Sequence, residues 1–141
     1  MKAKPVPITE NTRIGSVMRI PELRPAAPYF SGGAGFLLKA IVSLTTPEEL
    51  HRVSPSSNPE SLVIGLRHLL NVAGKDPGYL HTVYSPEEIR RNKALSDVKL
   101  FHFPGHPDRP FVLLCAGGGF ACVSNYTESF PMGVRTKSWS K

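Results

Sequence analysis

The 141-residue sequence has no long apolar run, few cysteines and no repeat. Its longest apolar stretch, Phe36 to Leu44, is interrupted by Lys39 and Ser43. That is far short of the roughly 20 residues needed to span a bilayer as a helix, so a membrane span is not expected. The start, Met1 to Glu10, has lysines but no apolar segment behind them, so a secretory signal of the usual form is not expected. Only two cysteines are present, Cys115 and Cys122. A disulfide between them is an unsupported alternative, and with no nearby third ligand a metal site is not expected. Free thiols in a cytoplasmic protein are the simplest reading, and no metal or other cofactor is expected. No low-complexity segment interrupts the chain.

The formal net charge of +6 invites an anionic partner, but its placement argues against one. Residues 1–13 carry +2 and residues 133–141 carry +3, leaving +1 for everything between. The basicity belongs to the ends, and no nucleic-acid recognition motif accompanies it. Nucleic acid is therefore not an expected partner, and the basic tail reads as a solvated end.

One domain's worth of chain is present, with 14 prolines placing rigid turns between its elements. Residues 1–33 read as an irregular arm with one helical turn near 14–19. Residues 34–44 predict a short buried helix, with Leu37, Ile41 and Leu44 at helical spacing. Thr46-Pro47-Glu48-Glu49 and Ser85-Pro86-Glu87-Glu88 are both capped helix starts: a hydroxyl cap, proline at the first helical position, and a glutamate placed to close a capping box. Asn58-Pro59-Glu60 opens a longer helix whose apolar stripe is Leu62, Val63, Leu66, Leu69, Leu70 and Ala73, stopped by Gly74. Strands are expected at 79–84, 98–103 and 111–115. The turn-rich 104–110 would join the last two as an antiparallel hairpin. A final helix starts near Glu128, and the polar continuation from Gly133 carries no apolar stripe with which to pack.

The feature richest in chemistry is Gly117-Gly118-Gly119 after the apolar run Phe111 to Ala116. Consecutive glycines at the end of a strand expose backbone N–H groups that a reacting oxygen can approach closely. Residues Leu100 to Gly105, Pro110 to Phe120, Val123-Ser124 and Glu128 to Pro131 together resemble bacterial α/β-hydrolases of the esterase and dienelactone-hydrolase-like kind. Ile8 to Gly15 and the helix at 58–73 resemble the leader that precedes the core in one subgroup. The likeness covers residues 8 to about 132.

It implies an α/β fold, in the form of an incomplete α/β-hydrolase: a helical leader over 1–78, the start of the core over 79–132 and a basic non-family tail over 133–141. It also implies an oxyanion loop of Gly117, Gly118 and Gly119, with Phe120 lining the acyl side. Ala116 stands where many relatives have proline or histidine, and Thr127 where subgroup members have histidine.

The family's nucleophile lies in a Gly-x-Ser-x-Gly elbow, followed by an acid and a histidine. This sequence has no such elbow. No catalytic residue is therefore expected here, and the expectation is a hydrolase portion truncated after about residue 132 and inactive alone. Two alternatives stand beside it. One is half of a split hydrolase whose complementing half supplies the triad. The other is a non-catalytic interaction module. Either self-association or a complementing half would use an open sheet edge at 111–115.

Single residues have plainer readings. The histidines at 51, 68, 81, 102 and 106 are scattered, so none pairs obviously with Cys115 or Ser124 as base and nucleophile. The Glu48-Glu49 and Glu87-Glu88 pairs sit in first turns, where capping and the helix dipole account for them.

Overall fold

The structure is a computed structural model that describes residues 7–31, 35–108, 110–118 and 123–135. Among the described residues six helices carry it: α1 (Ile14–Met18), α2 (Phe36–Leu44), α3 (Pro47–Val53), α4 (Pro59–Lys75), α5 (Pro86–Arg91) and α6 (Ser129–Arg135). Short 3-10 turns occupy Pro21–Leu23, Ala27–Tyr29 and Lys93–Asp97. Two strands, β1 (Leu80–Thr82) and β2 (Lys99–Phe101), pair antiparallel with Leu80 opposite Phe101, His81 opposite Leu100 and Thr82 opposite Lys99. No helix among the described residues is long and apolar enough to cross a membrane.

The local signals for helix starts operate as physics requires. Thr46 and Ser85 each close a capping box, the hydroxyl accepting the third residue's N–H while that residue's glutamate accepts the cap's own N–H. Asn58 Oδ1 accepts the Ser61 N–H and starts α4. Gly74 does not stop this helix. The chain turns instead at Asp76, whose Oδ1 accepts the Gly78 N–H.

Helix α4 is the spine of the core. Leu62, Val63, Leu66, Leu69, Val72 and Ala73 are buried along it. Gly65 lies on the same buried side because the backbone of α6 crosses it. A Cβ there would meet the Pro131 nitrogen at 2.8 Å and the Phe130 carbonyl carbon at 2.9 Å. Phe130 is fully buried and stands edge-on to Phe30 and Phe101, with ring centroids 5.4 and 5.0 Å apart. The Phe103 ring lies 6.4 Å from it. Longer hydrogen bonds tie the N-terminal arm to this centre: Arg67 Nε donates to the Ile8 carbonyl, Asn125 Nδ2 to the Tyr29 carbonyl, and the Tyr79 hydroxyl to the Glu22 carbonyl.

Four expectations are corrected. The α/β class, with the first strands of an α/β-hydrolase core, is overturned: the described residues are mainly helical, and their sheet is one two-stranded antiparallel ladder. A parallel sheet needs crossover connections that cover its faces, whereas here the segment between β1 and β2 folds into α5 and a 3-10 turn and returns the chain antiparallel. The pairing partner of β2 is β1, not residues 111–115, which take no regular secondary structure.

Helix α2 forms over the expected residues, yet Leu37, Ile41 and Leu44 are exposed and Val42 is the buried one. It is held through its C-terminal end, where the Ile14 N–H donates to the Thr45 carbonyl and Gly15 lies against the Ser43 carbonyl. Finally, the last helix does pack. Helix α6 runs through residues 132 and 133 and lies on α4, with Gly133 buried near Phe103. Residues 136–141 of the expected basic tail lie outside the described residues.

Replacing Gly with Ala inside a helix ordinarily gains about 1 kcal/mol. At Gly65 the new Cβ meets backbone that cannot swing aside, so Gly65→Ala should instead destabilise by about 1–3 kcal/mol. Phe130→Ala should cost about 3–5 kcal/mol. Urea denaturation followed by circular dichroism measures both, and a stabilised Gly65→Ala variant would contradict the close α4–α6 crossing.

Candidate functional site

Gly117 and Gly118 follow the apolar segment, and the chain comes back to Gly117 at Ser124. The Ser124 N–H donates to the Gly117 carbonyl at 3.0 Å. Residues 124–128 then form a tight turn, in which the Glu128 N–H and the Thr127 hydroxyl both donate to the Ser124 carbonyl. This turn brings the Glu128 side chain over the loop, where its carboxylate accepts the Gly117 N–H. Gly118 has φ 145°, a conformation that residues with a Cβ rarely adopt. Gly119 and Phe120, the other two oxyanion-loop residues expected from the resemblance, lie outside the described residues, as does Cys122.

The need for glycine thus differs between neighbours. At Gly118 it is set by the backbone itself. At Gly117 a Cβ would meet only the end of the Glu128 side chain, at 3.2 Å, which can move. Chemically, the loop offers a backbone donor that already holds a carboxylate oxygen. An incoming anionic oxygen has to displace Glu128 to use it.

The other candidates separate. Cys115 is an exposed free thiol. His51 Nδ1 lies 2.8 Å from the Ser57 carbonyl, closing the turn after α3. His68 stacks on Phe103 at 5.3 Å. His106 lies 3.8 Å from Asp108 in an exposed turn. His81 and His102 are brought together on the sheet, with ring centroids 5.7 Å apart. Among the described residues no group of three or more His, Cys, Asp or Glu is placed to hold a metal ion. A hollow of about 70 Å³ lined by Met18, Ala27, Pro28, Ser31 and Lys39 is well below the roughly 300–1,000 Å³ of small-molecule sites.

Two arrangements escaped sequence reasoning. Glu128 was legible only as part of a helix start, because its contact depends on the turn at 124–128. The His81–His102 pair depends on the β1–β2 register, which the expected pairing of 98–103 with 111–115 concealed.

The Glu87-Glu88 pair is structural at Glu88. Its carboxyl is held below the ordinary glutamate range, first by the Ser85 backbone N–H and then by the Ser85 hydroxyl. Because the folded value is the lower one, this contribution is present above the ordinary glutamate pKa and is lost as pH falls through the folded value. An NMR titration should therefore show the Glu88 carboxyl titrating below the ordinary glutamate value, and Ser85→Ala should move it part of the way back. A wild-type carboxyl titrating above that value would contradict the capping box in solution.

Gly118→Val should destabilise the chain by about 1–3 kcal/mol through backbone strain. Gly117→Ala should cost well under about 1 kcal/mol, since only a flexible side chain has to yield. Thermal melts of the two variants distinguish them, and equal effects would show that the loop conformation is not the cause.

Comparison of the chain with protein-family models, with curated proteins and with solved structures returned no match, so no family membership is shown.

Proposed function

We propose that this chain acts by association and is not by itself a catalyst: residues 111–116 add as a strand to a second polypeptide and carry the glycine loop with them. One observation bears most of the weight. Phe111 is 91% exposed, Val112 60% and Leu113 65%, consecutive in the chain and immediately before Gly117. Apolar side chains gathered this way on a soluble surface mark an interaction site. An extended segment added to a sheet edge gains main-chain hydrogen bonds as well as side-chain burial. The exposed Phe36, Leu37 and Leu44 of α2 provide further apolar surface on the same chain.

The resemblance of residues 100–131 to esterase-type hydrolases supports a narrower reading of the partner. It is a hydrolase-type sheet that supplies the serine, acid and histidine, with Gly118 in the oxyanion loop. The exposed thiol of Cys115 fits a reducing setting such as the cytoplasm. In a purified sample the second polypeptide available is another copy of the same chain.

Light scattering after size exclusion should then show mass rising with concentration. Hydrogen exchange at the amides of 111–116 should slow over the same range. Phe111→Asp with Leu113→Asp should abolish both effects while leaving the helical circular dichroism intact. A concentration-independent monomer with freely exchanging amides at 111–116 would overturn self-association through this segment and leave the complementing hydrolase-type sheet as its one proposed partner. The oxyanion role is tested separately with p-nitrophenyl acetate: any turnover, alone or complemented, that survives Gly118→Val removes that assignment.

A further inference from the structure

Antiparallel pairing sets which residues share a face. His81 stands opposite Leu100 in the β1–β2 register, so His102, two residues further on, lies diagonally across from it on the same side. The ladder reaches that far, because the His102 N–H donates to the Tyr79 carbonyl at 2.7 Å. The two imidazoles meet at a centroid separation of 5.7 Å and an interplanar angle of 64°. Both are exposed, so neither ring is committed to the core.

We propose that His81 and His102 form a cross-strand binding site for a borderline transition-metal dication of the zinc and nickel type. Imidazole nitrogen suits these ions, whereas magnesium and calcium require oxygen donors. Two imidazoles bound to one ion at about 2.0–2.1 Å place their ring centres about 5 Å apart for a tetrahedral angle. The rings stand within an ångström of that spacing. Rotation about exposed side-chain bonds closes the difference without moving the strands.

Two protein donors leave the remaining coordination positions to water or to an outside donor. Among the described residues no third His, Cys, Asp or Glu completes a group of three. The site is therefore an open one, unlike the closed four-ligand arrangement of structural zinc. Its consequence is mechanical. A metal ion joining β1 to the residue after β2 staples a sheet of only two strands, and binding to the folded chain alone raises its stability by mass action.

Isothermal titration of the full chain with Zn²⁺ and Ni²⁺ tests the proposal, with Mg²⁺ as the oxygen-seeking comparison. One ion should bind per chain, raising the melting temperature, while Mg²⁺ does neither. His81→Ala and His102→Ala should each weaken binding by about tenfold or more and remove the thermal shift. His81→Gln and His102→Gln repeat the measurement with longer polar side chains, so that a fold lost in one variant does not decide the result. His106→Ala should leave binding unchanged, as should Cys115→Ser combined with Cys122→Ser. Affinity equal to wild type in either His81 or His102 variant overturns the site. So does a loss that follows the cysteine or His106 variants, or binding of Mg²⁺ with equal strength.

Discussion

The close crossing of α6 over α4 at Gly65 is the constraint on which the rest of the structure depends. Only a residue without a Cβ lets the Phe130–Pro131 backbone come this near the helix. That approach lowers the Phe130 ring into the centre of the molecule, where it touches Phe30 from the N-terminal arm and Phe101 and Phe103 from the strand side. Two distant stretches of sequence therefore pack on one side chain. Aromatic side chains bury more area than any others, and edge-on pairs add about 0.5–1.5 kcal/mol each beyond that burial. The segment closing the core is the last one described, so the arm and the sheet acquire their full packing only when α6 is in place.

The sheet illustrates this dependence. A two-stranded ladder of three residues per strand is marginal in water by itself. Here it is held from behind: Phe101 packs on Phe130, and Tyr79, at the start of β1, is buried with its hydroxyl donating to the Glu22 carbonyl. Burial pushes the Tyr79 phenol above its ordinary value, and the hydrogen bond to main chain satisfies it there. The helices thus stabilise the sheet, the reverse of an α/β protein in which the sheet organises the helices.

What could be read from sequence divides along the same line. Thr46, Asn58 and Ser85 act through neighbours three residues away, and so their helix starts were legible. The stripe on α4 was legible too, because burial on a long helix leaves a period that few other arrangements produce. Leu37, Ile41 and Leu44 have that period in α2 and are nevertheless exposed, since periodicity identifies a face and says nothing about whether anything covers it. Strand pairing was the least accessible. Residues 111–115 have the composition of a buried strand, but composition does not supply a neighbour, and β2 takes β1 instead. Glu128 was hidden for a related reason, because the turn that brings it to Gly117 is built from main-chain contacts of Ser124.

The apolar segment and the glycine loop differ in the energies they command. The bond from the Gly117 N–H to the Glu128 carboxylate is exposed, and a hydrogen bond of that kind contributes about 1 kcal/mol net, because water competes for both partners. Burying a side chain such as Phe111, Val112 or Leu113 is worth about 1.5–3 kcal/mol each. In the association proposed above, strand addition therefore supplies the driving force, and the loop, already held by Glu128, is carried with it. Sheltering the segment also removes water from around Gly117, where an anionic oxygen gains more from a backbone donor than it does in solution. Glu128 is the oxygen already in place, so the same burial that strengthens the donor strengthens its hold on Glu128. A ligand using the Gly117 N–H has to offer a better-placed negative oxygen than this carboxylate, and Glu128 thereby sets the threshold for anything that binds at that donor.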